Sequence, residues 1–88
     1  MESNELREQL IELHRELEDA TRKNPREDVL SHVMTDIVRI AAGEDIDADE
    51  GENLRERIEH QASDFEIRHP RAAGILREVT DILAKLGI

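Results

Sequence analysis

From residue 72 to the end of the chain, apolar side chains recur at a fixed beat. They are Ala72, Leu76, Val79, Leu83 and Leu86, at intervals of four, three, four and three. That spacing draws a narrow apolar seam along one side of a helix, and such a seam needs a surface to lie on. The same beat occurs near the start, in Leu6, Leu10, Leu13, Leu17 and Ala20, with Ile11 widening the stripe slightly. Phe65 is the single aromatic residue, so the core must be aliphatic, which suits helix-on-helix packing. Eighty-eight residues make one domain, burying only roughly 60–65% of its unfolded surface. With no cysteine there is no disulfide to help, and self-association becomes the remaining source of buried area. The absence of cysteine also fits a reducing compartment.

The breaks between seams place four helices, over 4–22, 25–42, 54–68 and 70–86. Ser3 or Asn4 can cap the first, with Glu5 in its positive first turn. Asn24-Pro25-Arg26-Glu27 reads as a capping box with proline at the first helical position. The second helix carries Val29, Leu30, Val33, Met34, Ile37, Val38, Ile40 and Ala41 before Gly43 stops it. This stripe is wide enough for two neighbours, so the second helix is expected at the centre of the core. Asn53 and Glu56 form another capping box ahead of Leu54, Ile58, Ala62 and Phe65. Pro70 biases His69 away from helical geometry and opens the last helix, giving a hairpin around His69-Pro70. His69 is expected to cap that joint, and Gly74 to mark a close contact between helices. Gly87 is a natural C-terminal stop, with Ile88 folding back over the last turn. The expected fold is all-α: a four-helix bundle of short helices, completed by self-association into a homodimer. Its expected interface is the pair of narrow seams, Leu6, Leu10, Leu13 and Leu17 with Leu76, Val79, Leu83 and Leu86.

The formal charge is −10, and residues 43–53 (GEDIDADEGEN) hold six acids and no base. Nucleic acids and anionic membranes demand a basic face, so direct binding to either is disfavoured. The start of the chain has neither the basic residues nor the apolar run of a secretory signal, and a cytoplasmic location is expected. In the acidic loop, Asp45, Asp47, Asp49 and Glu56 fall at the first, third, fifth and twelfth positions of an EF-hand. The sixth position, however, is Glu50 where a glycine makes the turn, and Glu56 already belongs to a capping box. These four residues are the nearest approach to a cation site, and the loop reads as solvated, with no metal expected. Glu66 and His69 match half of a di-iron helical-bundle motif, but no second copy of the half-motif follows. No nucleophile stands in an elbow or triad context, no aromatic residues wall a pocket, and no cofactor is expected.

Two stretches carry a family resemblance. One is the opening ELREQLIELHRELE. The other is the closing FEIRHPRAAGILREVTDILAKLGI, where Phe65, Glu66, His69, Pro70, Leu76, Arg77, Val79, Asp81, Leu83, Ala84, Gly87 and Ile88 fall in a family pattern. The chain resembles the family of domain of unknown function numbered 4404. The resemblance implies a small helical bacterial protein and implies no activity. From the residues themselves, the expected role is a non-enzymatic protein–protein interaction or regulatory module. Two other classes stay open: an acidic mimic of nucleic acid that binds a basic protein, and a weak cation-responsive module using the acidic loop.

Overall fold

A computed structural model describes residues 3–21 and 28–88, apart from the side chains of residues 3 and 28–30. It contains four helices, α1 (Ser3–Thr21), α2 (Asp28–Ala41), α3 (Ala48–Arg68) and α4 (Pro70–Lys85), and the described residues form no strand. The Asn24–Glu27 capping box lies outside the described residues. Ser3 and Asn4 are already helical, so neither is the residue that precedes α1.

Each helix runs antiparallel to the next. Arg7 Nε at the start of α1 donates to the Ile40 carbonyl at the end of α2, 3.3 Å away. Asp19, late in α1, pairs with Arg71 at the start of α4 at 3.4 Å. Gly51, early in α3, faces Ile88 beyond the end of α4. The helices therefore close a ring in the order α1, α2, α3, α4, while the diagonal pairs do not meet among the described residues. This is up-down-up-down bundle topology. The radius of gyration, 12.1 Å, matches the roughly 12 Å of a compact single-chain domain of this length.

The seams fill the ring. Leu6, Leu10, Leu13 and Leu17 of α1 are buried, as are Val33, Ile37 and Ile40 of α2. Leu54, Ile58, Ala62 and Phe65 of α3 join them, with Ala72, Leu76, Val79 and Leu83 of α4. Here α4 is wider than its seam suggested, because Ala73, Ile75 and Ile82 are buried as well. The reason is position. α4 packs extensively on both α3 and α1, whereas α2 packs on α1 and only lightly on α3. The central helix is thus α4, which corrects the expectation for α2.

Two helices end by the same device. After α4, Gly87 takes φ 84°, its N–H donates to the Ala84 carbonyl at 3.1 Å, and the Ile88 N–H donates to Leu83 at 2.9 Å. After α2, Gly43 takes φ 90°, donating to Ile40 at 3.0 Å, while the Glu44 N–H donates to Arg39 at 3.1 Å. Both are Schellman motifs, and each needs the left-handed residue that glycine supplies. Ile88 then packs against the core, as its place after Gly87 suggested.

The start of α3 departs from the expectation. The helix begins at Ala48, and Asp47 is its cap, accepting from the Glu50 N–H at 2.9 Å. Asp47 and Glu50 have capping-box spacing, and Asp49 and Glu50 sit in the first turn, where the helix dipole favours acids. The Asn53 box is consequently inside the helix, and the expected eleven-residue acidic loop shortens to residues 42–47.

At the other end of α3, His69 closes α3 and opens α4 with φ −138°, and Pro70 takes the first turn of α4. The hairpin is as expected, but the His69 side chain makes no capping hydrogen bond. Its ring instead meets Phe65 edge-on, with centroids 5.1 Å apart.

Candidate functional site

The seam residues expected to bind a second copy are spent inside the chain. Leu6, Leu10, Leu13, Leu17, Leu76, Val79 and Leu83 are all buried in the single molecule, and Leu86 packs partly against the same core. The two seams lie in helices that pack on each other, α1 on α4. They form no outward face.

The candidate cation residues are not gathered either. Asp47 commits a carboxylate oxygen to its cap, and Asp49 and Glu56 sit two turns apart on α3, about 10.5 Å along the axis. Among the described residues no three His, Asp or Glu side chains converge on a point that could hold a metal ion. Glu66 faces Arg77 of α4 at 3.4 Å while His69 lies against Phe65, so the Glu-x-x-His pair is divided between two structural contacts. Gly74 is exposed, and a Cβ there would meet nothing within 4 Å. The close approach belongs to Gly51, where a Cβ would stand 2.7 Å from Ile88 Cγ2.

A polar cleft lies where the end of α2 meets the start of α3. Arg39 hydrogen-bonds Glu44 at 3.0 Å and reaches Asp36 at 3.3 Å, and Arg57 approaches Asp36 at 3.7 Å. The hydrogen bond that Arg39 donates to Glu44, then the charge of that carboxylate, raises the already high pKa of the guanidinium. Charges of both signs compensate here, which is the behaviour of a solvated joint between helices.

The surface that differs from the rest is the outer groove between α1 and α2. Its floor and lips are Ile11, His14, Ile37, Val38, Ala41 and Ala42, enclosing about 240 Å³. It continues past His14 and Val38 to Met34, Thr35, Ser31 and Glu18. Ile11 is 45% exposed and Val38 50% exposed, and both border the same apolar space. His14 Nδ1 lies 3.9 Å from Glu18, a charged pair only when the imidazole is protonated. No lysine or arginine lines either part of the groove.

Sequence reading did not identify this groove, although a trace of it was visible. Ile11 widened the first seam, and the second stripe was broader than one neighbour requires. The surplus residues are the ones left exposed. What periodicity could not give is that the surpluses of α1 and α2 fall side by side, because that depends on the rotation of each helix about its axis.

Among the described residues, no helix is long and apolar enough to cross a membrane. Comparison with curated proteins and with solved structures finds no match to this chain. A family model does match it, over residues 6–88, under the description domain of unknown function (DUF4404). Nearly the whole chain is covered, acidic connection included, and the protein belongs to the DUF4404 family.

Proposed function

We propose that this protein is a non-enzymatic protein-interaction module that docks a partner in the outer groove between α1 and α2. One observation carries the reading. Ile11 and Val38, half exposed, border one apolar space that the bundle itself leaves unfilled. Scattered apolar residues are ordinary on a protein surface, and Ile67, 92% exposed near the α3–α4 joint, is of that kind. A pair of aliphatic side chains flanking an apolar trough is different. Covering it removes hydrocarbon from water without breaking any contact within the bundle. Polar side chains do line its continuation, but Thr35 Oγ1 donates to the Ser31 carbonyl and His14 lies beside Glu18, so no groove hydroxyl is hydrogen-bonded to the imidazole, which favours binding over chemistry.

The test is a photo-crosslinking amino acid at Val38, compared with the same group at Ile67, in cells that naturally make the protein. The expected result is discrete adducts, with itself or another protein, from position 38 and not from 67. They should vanish when Ile11→Glu places a charge on the opposite lip. Equal labelling from both positions, or adducts indifferent to Ile11→Glu, would end the reading.

A further inference from the structure

We infer that the occupant of the groove is a second copy of this chain, set antiparallel across a two-fold axis that passes between Ile11 and His14, level with Ile37. The inference rests on the interaction reading above and names its partner.

A two-fold contact requires one patch to be complementary to itself. This patch has both halves of such a contact. Ile11 and Val38 stand as ridges, and between them runs a trough lined by the buried Ile37 and by Ala41 and Ala42. A space of 240 Å³ accommodates a ridge side chain from the facing copy, and the small Ala41 and Ala42 allow close approach. Each copy then supplies ridge and trough at once.

Charge decides the direction. One end of the bundle gathers the start of α1, the α2–α3 connection, the start of α3 and the end of α4. Residues 3–10, 39–56 and 82–88, which compose that end, carry nine acids against four bases. A parallel pair would set two such ends side by side. An antiparallel pair sends them to opposite ends of a molecule 33 Å long, several times the ~8 Å over which charges interact at physiological salt.

The groove ends match in the same sense. At one end stands Glu18, which lines the continuation of the trough. At the other stands Arg7, one turn before Ile11. Its Nε bonds the Ile40 carbonyl, and no described carboxylate pairs with its guanidinium. Antiparallel stacking brings Glu18 to the partner's Arg7, twice by symmetry. Parallel stacking would bring Glu18 to its own copy.

The chain's lack of cysteine makes the test clean. Sedimentation equilibrium of the purified full chain should give twice 10.1 kDa at micromolar concentration. Val38→Glu, and independently Ile11→Glu, should weaken association by roughly a hundredfold while circular dichroism shows unchanged helix content. Single-cysteine variants then fix the direction. Ser31→Cys mixed with Ala42→Cys should form a mixed disulfide dimer under mild oxidation, and Ala42→Cys alone should not.

A monomer at millimolar concentration would overturn the second-copy assignment. If position 38 still crosslinked to another protein in cells, the interaction reading would stand without it. A dimer indifferent to both glutamate variants would place the contact elsewhere. Self-crosslinking of Ala42→Cys without the mixed product would overturn the antiparallel arrangement.

Discussion

Gly51 and Gly74 are both helical, and a methyl group added to each would meet opposite surroundings. At Gly74 it meets nothing within 4 Å, so Gly74→Ala only removes the entropic cost of a helical glycine. The expected gain is about 0.5–1 kcal/mol, read as a higher midpoint in thermal or urea unfolding. At Gly51 the new Cβ would stand 2.7 Å from Ile88 Cγ2 and 3.4 Å from the Ile88 carbonyl carbon. A branch methyl and backbone cannot swing aside as the tip of a long side chain can, so Ile88 must leave its seat on the core. Gly51→Ala should therefore lower stability. In an Ile88→Ala background the same change should become favourable, and the double-mutant cycle measures that coupling. Additive effects would show that the two residues do not press on each other. The one side-chain polar atom buried without a partner among the described residues, Arg55 Nε, lies a single turn further along α3.

At the scale of the element, α3 shows where competing start signals are resolved. Two capping boxes lie in one stretch, Asp47 with Glu50 and Asn53 with Glu56, and the helix takes the earlier. Nothing between them stops it, since Ala48, Asp49, Glu50 and Glu52 extend α3 and its first-turn acids lie at the positive end of the dipole. Asp47→Ala should cost about 1 kcal/mol by loss of the cap, while Asn53→Ala should leave stability unchanged or raise it. The reverse ranking in urea titrations would put the start of α3 back at Asn53. Helix number, the His69 joint and the Gly43 and Gly87 stops were all legible in the sequence, because each depends on local chemistry. The pairing of elements was less so. The beat of Leu6 to Leu17 and of Leu76 to Leu86 says that a seam is covered, and not whether the cover comes from the same chain. Ile11 and Val38 escaped for the same reason. Each widens a stripe on its own helix, and only the closed ring brings them to one groove.

Across the whole molecule the net charge of −10 sets self-repulsion against packing, concentrated where α2 hands over to α3. The scattered surface ion pairs offset little of it. Raising sodium chloride from 20 to 500 mM, which shortens the Debye length roughly fivefold, should raise the unfolding midpoint. Because α3 starts at Ala48 and spreads Asp49 and Glu56 along its length, calcium chloride at matched ionic strength should raise it equally. A larger rise with calcium would reveal a cation site. The light packing of α2 on α3 also bears on how the bundle opens. Helix α2 is held by α1 and only slightly by α3, so it is the helix expected to detach while the other three remain packed. Its amide protons should exchange with deuterium through this partial opening, faster than those of α4, which await global unfolding. One wall of the groove is thus the least anchored of the four helices. Whatever settles there must clamp α2 in place, and slowed deuterium uptake confined to α2 would be the imprint of occupancy.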